Sequence, residues 1–440
     1  MSSISGGIDR VEARFDDVSL VADGGLLLVG TLMSRLGLQA LVDEVVRPAG
    51  SGRGSGAKAL SVVASMLAGG SHIDDANRLR AGSAGAVLGF EPSAASTVGT
   101  WLRSFSWGHV RQLDRAAEVA LDRAWSAGAA PEAAEMTLDL DSTVCEVYGR
   151  CKQGAAYGHT KVLGYHPLVA VRDDTGEMVH TRMRSGSSQR GHRHFVSETL
   201  GRLRRLAPAA AVTVRADAGF FSYDMLDLIE ARGGSYSITV ALNAKVKAAI
   251  DAIDDDAWQP IPYTPDGEAQ VAQTTINTGR RDRSGPRALR LVVRRSRLTG
   301  PQRELWPNWR HHCFVTNRAD LDTAAADAYH RGHARVEIAI RDLKNSGLAH
   351  CPSGKFFANA AWLACAALAH NIARWTARLG HTQHPNRLTA AATVRRRLLC
   401  VPGRLVNHSR QQILRLPANW PWANTFTTAL RRLRNLPLLI

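Results

Sequence analysis

The last part of this 440-residue chain contains no acidic residue at all. Asp342 is the final acid, and residues 343–440 hold fourteen Lys and Arg. The formal net charge of the whole chain is +16, and the first 342 residues, with 41 basic and 39 acidic side chains, account for only +2 of it. A basic region without acids favours a polyanionic partner such as nucleic acid.

Lysine is also scarce, because only seven of the 55 cationic residues are Lys. The planar guanidinium of arginine suits phosphate groups. A GC-rich coding sequence produces the same bias, so the excess of arginine does not by itself indicate a function.

Cysteine and long apolar runs are limited as well. The six cysteines are scattered, and no two have C-x-x-C spacing, which argues against a structural zinc site and a dithiol redox motif. No uninterrupted apolar run reaches the roughly 18–20 residues that cross a bilayer. The N-terminus "MSSISGGIDRVEARFDD" lacks the basic start and apolar core of a signal peptide. We therefore expect a cytoplasmic protein without membrane contact.

The composition and the hydrophobic periodicity of the sequence change several times along the chain. Residues 1–130 are rich in Ala and Leu with helical periodicity, whereas residues 131–235 combine short strand patterns with helical runs. Residues 236–318 are β-rich, residues 319–380 are helical, and residues 381–440 are basic. The pattern predicts an α/β core interrupted by a β-rich insertion, with a helical N-terminal domain before it and a basic helical C-terminal tail after it.

Two acidic residues alternate with leucines in "MTLDLDSTV" at 136–144. Because strand side chains alternate between faces, Asp139 and Asp141 should point to the same side. A second strand pattern, "AVTVRADAGFF", ends at Asp217. If the two strands share a sheet, the strand-end carboxylates of Asp141 and Asp217 can converge.

A third acid lies in "AYHRGHARVEIAIRDLKNSG", where Glu337, Arg341 and Lys344 share one helical face and His333 is four residues before the Glu. Three carboxylates from separate elements suit Mg²⁺, which prefers oxygen ligands and lets substrate phosphate complete its coordination shell. Aspartates at strand ends are also common as turn formers and caps. From the residues alone, both interpretations stay open.

Together these segments resemble a known family. The order of "LDLDST", "RADAGFF" and a Y-x₇-E-x₆-K pattern at Tyr329, Glu337 and Lys344 resembles the bacterial insertion-sequence transposases with a DDE triad, transposase DDE domain group 1. The last pattern is similar to their tyrosine–arginine–glutamate–lysine signature. The arginine position of the signature is occupied by His333, and its neighbours Arg331 and Arg335 are candidates for that role.

The resemblance implies an RNase H-like core with Asp141, Asp217 and Glu337 as catalytic and metal-binding residues, using Mg²⁺ or Mn²⁺, two ions in all. It implies cut-and-paste transposition at terminal inverted repeats, joining of the ends to target DNA, a homodimer that holds two ends, and a place in the nucleoid. Residues 1–130 would bind the DNA ends. The predicted DNA contacts are Tyr329, Arg331, His333, Arg335, Arg341, Lys344, Arg395, Arg396 and Arg397.

Two further expectations concern the roles of the two aspartates in the first strand and the alternative function of the protein. The first catalytic acid should be Asp141, which directly precedes Ser142 and Thr143, with Asp139 one pleat deeper in support of the site. The alternative function is a transposase-derived protein that binds DNA repeats and no longer cuts them.

Overall fold

The computed structural model describes residues 11–48, 50, 54–130, 134–158, 160–282, 285–298, 309–381 and 389–439. A short strand, β1 (Leu20–Val21), precedes six helices: α1 (Leu26–Arg35), α2 (Leu38–Val45), α3 (Ser55–Leu67), α4 (Ala84–Leu88), α5 (Ala95–Arg103) and α6 (Trp107–Ala124). In α3, small and apolar side chains allow burial on nearly all sides. The N-terminal region is therefore mainly helical from Leu26 onward, whereas the described residues before it contain only the short strand β1.

The next segment forms the core of a large sheet. It contains β2 (Glu135–Ser142), β3 (Cys145–Glu146), β4 (Ala156–Tyr157), β5 (Leu163–Tyr165), β6 (Leu168–Arg172), β7 (Met178–Arg182), α7 (His192–Leu206), β8 (Ala211–Ala216), α8 (Tyr223–Ala231) and β9 (Ser235–Thr239). The strand order in this part is β7-β6-β2-β8-β9. Strand β2 runs antiparallel to β6 and parallel to β8, and β9 runs parallel to β8. The α/β core predicted from the alternating patterns is present.

The β-rich segment continues this sheet. After α9 (Ala244–Asp251) come β10 (Gln259–Ile261), β11 (Gly267–Asp282), β12 (Gly285–Leu298) and β13 (Arg310–Thr316), and β13 pairs antiparallel with β9. The result is one nine-stranded sheet in the order β10-β11-β12-β13-β9-β8-β2-β6-β7. The expected start of the insertion at residue 236 falls inside β9, which is a core strand because it pairs with β8. The β-rich segment thus extends the core sheet edge to edge.

The C-terminal part contains α10 (Thr323–Arg331), α11 (Arg335–Leu343), α12 (Phe356–Leu379), α13 (Ala391–Val394), β14 (Gly403–His408), β15 (Gln411–Arg415) and α14 (Ala423–Arg434). The prediction of a helical tail was wrong for residues 403–415, which form a β-hairpin that pairs through β14 with β1. The apolar side of α14 buries Phe426 and Leu433 in the main core. The C-terminal region is therefore integral to the fold.

Helix α12 lies at the centre of the molecule. By length and composition it is apolar enough to cross a membrane, which the expectation from apolar runs missed because polar residues interrupt the stretch. In the structure 83% of its most apolar window is buried inside the protein. Its side chains Trp362 and Trp375 donate hydrogen bonds to Gly347 O and Glu177 Oε1. These contacts are those of a core helix that carries the sheet on one side and the N-terminal helices on the other.

Candidate active site

The two strand-end aspartates come from neighbouring parallel strands. In the β2–β8 register Asp139 is opposite Arg215, and Leu140 is opposite Ala216. Asp141 and Asp217 are the next residues, so they occupy the same edge of the sheet. Asp141 is half-buried, and Asp217 is exposed and accepts a hydrogen bond from Gly219 N at 3.1 Å.

Glu337 reaches the same region from a helix. It is exposed in the first turn of α11, which contacts β2. Burial, together with the charges of Asp217 and Glu337, raises the pKa of Asp141 to about 6, against the opposing effects of the Ser142 backbone N–H and His333. The structure therefore brings the three predicted acids into one electrostatic environment.

The donor type of this group fits a hard divalent cation, because Asp141, Asp217 and Glu337 offer only carboxylate oxygens. A cation would also relieve the repulsion that raises the pKa of Asp141. In the described part of the chain, however, no three His, Cys, Asp or Glu side chains are placed as a ready metal-ligand set. The acids share a site without yet being gathered around one point.

Asp139 lies beneath this edge in a buried ion-pair network. Its carboxylate is fully buried and accepts two hydrogen bonds of 2.8 Å from Arg215 Nε and Nη2. His333 Nδ1 is 2.9 Å from Asp139 Oδ1, and Arg215 Nη2 is also 2.9 Å from an oxygen of Asp173. The bidentate geometry and the further partners are what a buried ion pair needs to offset its desolvation. His333 bonds Asp139 and also lowers the pKa of Asp141. Both aspartate side chains therefore lie on the same side of β2.

The break between α10 and α11 is shaped by Arg215. Its Nη1 donates to Tyr329 O at 2.6 Å, and a Cβ on Gly332 would lie 2.3 Å from the same nitrogen. A side chain at this position would have to displace the guanidinium of Arg215 from its bonds. Tyr329 shares a 2.7 Å hydrogen bond with Thr137 Oγ1, and its ring lies against the guanidinium groups of Arg215 and Arg318. Tyr329 thus anchors the end of α10, which leads into the Glu337 helix, to β2 and β8.

The arginines that flank His333 have internal partners. Arg331 Nε donates to Asp327 at 2.8 Å, and Arg335 Nε donates to Asp173 at 2.6 Å. Both arginines therefore pair with acids of this chain, while Arg215 from β8 supplies a buried guanidinium that shares Asp139 with His333. Arg341 is exposed, and Lys344 is half-buried at the end of α11.

The three consecutive arginines after α13 separate into two kinds. Arg395 donates to Leu67 O, Met66 O and Asn345 O, and burial lowers its pKa. These bonds tie the C-terminal region to α3 and to the turn after Lys344, which argues against a free phosphate contact for Arg395. Arg396 and Arg397 are exposed, and the guanidinium of Arg397 lies 5.4 Å from the ring of Trp422.

A basic residue near Asp217 escaped the sequence predictions. Arg184 is buried just after β7, donates to His166 O at 2.9 Å and contacts His192 Nε2 at 3.1 Å. Burial lowers the pKa of Arg184 to about 10, and the charge of Asp217 opposes that effect. Burial and Arg184 lower the pKa of His192 to about 4, so that ring is neutral near pH 7. No sequence pattern singles out Arg184 among 55 cationic residues.

One solved structure similar to this fold is the piggyBac transposase in a synaptic complex with hairpin DNA. It matches with a TM-score of 0.43 and 12% sequence identity, over 86% of this chain and 79% of that chain. No curated protein matches the sequence significantly. The sequence model of the family described as transposase DDE domain group 1 matches residues 5–438. Because this match spans nearly the whole length, the chain belongs to that family of DDE transposases.

Proposed function

We propose that this transposase cuts DNA at the terminal inverted repeats of an insertion sequence and joins the ends to target DNA by a cut-and-paste route. The observation that carries the proposal is the placement of Asp141 and Asp217 at neighbouring strand ends, with Glu337 within electrostatic range of Asp141. The mixed β7-β6-β2-β8-β9 order, with its acids at the ends of the parallel strands β2 and β8, also supports an RNase H-like core. Such a protein would act in the nucleoid, as a homodimer that holds two ends.

Asp141, Asp217 and Glu337 would hold the metal, Mg²⁺ or Mn²⁺, as two ions. When bound, such ions activate the attacking oxygen and stabilise the leaving oxygen of a phosphodiester. The protein itself positions these acids. Asp139, held by Arg215 and His333, fixes the end of β2. The bonds of Tyr329 fix the end of α10, and the bond from Arg335 to Asp173 fixes the start of the Glu337 helix.

Basic residues near the three acids would attract the phosphates of the DNA. Arg184 is buried within electrostatic range of Asp217, so its charge adds positive potential where a phosphate would approach the cleaved bond. Arg341, in the last turn of the Glu337 helix, and Lys344, at its end, add positive charge beyond Glu337. Arg396 and Arg397 add exposed charge in a region without acids.

The alternative, a protein that binds DNA ends without cutting them, is favoured by one observation. The three acids do not form a ready ligand set in the described structure. Incubation of the protein and Mg²⁺ with a supercoiled plasmid carrying the inverted repeats that flank its coding DNA separates the two functions. Nicks at the repeat ends support the transposase, whereas tight binding without nicks supports the alternative.

Lys344→Ala is expected to weaken binding of the DNA end while leaving metal binding unchanged. Lys344 lies on the Glu337 face of the helix but is a cation, so it can contact phosphate and cannot ligate metal. The expected change is a fall of about one in the salt slope of binding. Mn²⁺ calorimetry and end binding should be compared with Lys355→Ala, an exposed lysine outside the signature. Lost Mn²⁺ binding in Lys344→Ala would count against this role.

Neutralising the exposed arginines of α14, Arg431, Arg432 and Arg434, to Gln is expected to flatten the salt dependence of DNA binding. Each lost phosphate contact should reduce the slope by about 0.9. Deleting the helix is a poor test because Phe426 and Leu433 are buried in the core. The slope is measured by fluorescence anisotropy over a salt series. An unchanged slope in a variant of normal thermal stability would show that this surface does not face DNA.

A further inference from the structure

The hairpin formed by β14 and β15 was not foreseen and has no role in the site described above. It is joined to the protein through β1, in the order β1-β14-β15. His408 and Gln411 form its last pair, so Ser409 and Arg410 alone make the turn. All four tip residues are exposed.

The turn has an unusual composition for its shape. Ser409 has φ +47° and Arg410 has φ +64°. A two-residue hairpin turn with positive φ at both positions strongly prefers Asn and Gly, because a Cβ is strained there. Only four non-glycine residues in the described ranges have positive φ, and two of them are adjacent here. The hairpin thus presents an arginine at its tip at a conformational cost that glycine would avoid, and such cost is often retained for function.

The two faces of the hairpin differ. The pair Leu405–Leu414 packs against the main core. The opposite face carries Arg404 directly across from Arg415. Like charges directly opposite one another are unfavourable, and Asp17, 2.8 Å from Arg404, is the acid that faces them.

The outer face continues toward the tip. Beyond the arginine pair come Val406–Ile413 and then His408–Gln411. This face therefore combines the cations of Arg404 and Arg415 with hydrogen-bonding side chains near the tip, and no acid follows Asp342 in the chain.

We propose that this hairpin is a DNA-binding ribbon that inserts Arg410 into a groove of the duplex while Arg404 and Arg415 contact the flanking phosphates. A two-stranded ribbon fits the major groove, which is about 12 Å wide. Arginine is the residue that most often contacts base edges there, and His408 and Gln411 lie beside it. The inference rests on the proposed DNA function and assigns to it a contact separate from the cleavage site.

Charge favours DNA over a second copy of this chain as the occupant. Strand β15 is the outer strand of its sheet in the described structure, so another strand could add to it. An added copy of the same strand would bring a second Arg415 toward the Arg404–Arg415 pair. The phosphate backbone supplies the opposite charge.

Arg410→Gly tests the proposal because it should affect folding and DNA binding in opposite directions: the protein should become more stable and should bind DNA more weakly. Glycine relieves the strain of φ +64°, so the urea unfolding midpoint should rise. Binding of a fluorescein-labelled duplex carrying the terminal repeat should weaken by roughly five- to a hundred-fold, with a salt slope lower by about 0.9. Arg410→Lys keeps the charge and should restore the slope while recovering only part of the affinity.

Arg204→Gln, which removes one exposed charge from α7, is the matched control and should bind DNA as the wild type does. Wild-type affinity and salt slope in Arg410→Gly would overturn the proposal. So would a variant that binds DNA normally but loses self-association in analytical ultracentrifugation, because the hairpin would then bind a second copy. Cleavage of repeat-bearing plasmid by a hairpin variant with unaltered affinity would refute the ribbon alone and leave the proposed function standing.

Discussion

Asp141→Asn is expected to abolish metal-dependent strand cleavage while binding of the DNA end is retained. An amide is a poor ligand for a hard divalent cation compared with a carboxylate, and the charges of both Asp217 and Glu337 act on Asp141. Under the proposed function, end binding depends on basic surfaces away from Asp141, so it should stay near the wild-type value. Single-turnover cleavage and anisotropy on the same labelled duplex measure both. Cleavage at the wild-type rate would contradict the assignment of Asp141.

The same variant should be more stable than the wild type when metal is absent. The pKa of Asp141 is raised from 3.8 to about 6, so the folded state holds a proton that the unfolded state releases. The stability from this group is complete below about pH 4 and is lost as pH rises through about 6. At pH 8 the substitution should therefore add about 1–3 kcal/mol to the free energy of unfolding.

Urea unfolding in EDTA at pH 5 and pH 8 measures this effect. The gain of Asp141→Asn over the wild type should be larger at pH 8 than at pH 5, because the wild-type carboxylate is ionised at the higher pH. Asp254→Asn, which changes an exposed acid outside the site, should show no such gain. A variant less stable than the wild type at pH 8 would contradict the electrostatic account.

Arg215→Ala is expected to destabilise the protein by about 3–5 kcal/mol, because it leaves the buried carboxylate of Asp139 without its bidentate partner. The variant would also lose the bonds from Arg215 to Asp173 and to Tyr329 O, which hold the start of the Glu337 helix. Chemical denaturation gives the loss. A change below about 1 kcal/mol would show that the network is not coupled to folding.

A double-mutant cycle with Asp139→Asn isolates the pair. Asp139→Asn alone should slow cleavage by about 10–100-fold, the usual effect of a residue that supports a metal site. Combined with Arg215→Ala, it should reduce the free energy of unfolding by less than the sum of the two single variants, since each single variant leaves one buried charge without its partner and the double variant leaves neither. Simple additivity would mean that Asp139 and Arg215 act independently.

The parts of the site that could be predicted from the sequence are those that depend on the residue pattern within a single segment. Alternation in "MTLDLDST" and "TVRADAG" places Asp141 and Asp217 at strand ends. The spacing of Tyr329, Glu337 and Lys344 belongs to a single chain segment. The resemblance to a family then supplied the association of these segments, which periodicity alone does not give.

The parts that escaped prediction depend on contacts between distant segments. The Arg215–Asp139–His333 network needs the β2–β8 register and the break at Gly332, which no single stretch of sequence contains. The C-terminal hairpin was not predicted because its turn is not the Asn-Gly sequence by which two-residue hairpins are usually recognised. Ser409 and Arg410 occupy the turn with strained positive φ angles. The β-rich segment joined the core sheet because β13 pairs with β9, and that pairing is invisible in either strand alone.

The most direct test of the central claim is single-turnover cleavage of a labelled terminal-repeat duplex in Mg²⁺ by the wild type, Asp141→Asn, Asp217→Asn and Glu337→Gln. Binding of the same duplex is followed in parallel to show that each variant is folded. If the three acids form one catalytic group, the wild type cuts at the repeat end and every variant binds the duplex without cutting it. Cutting at the wild-type rate by any one of the three variants would contradict that account.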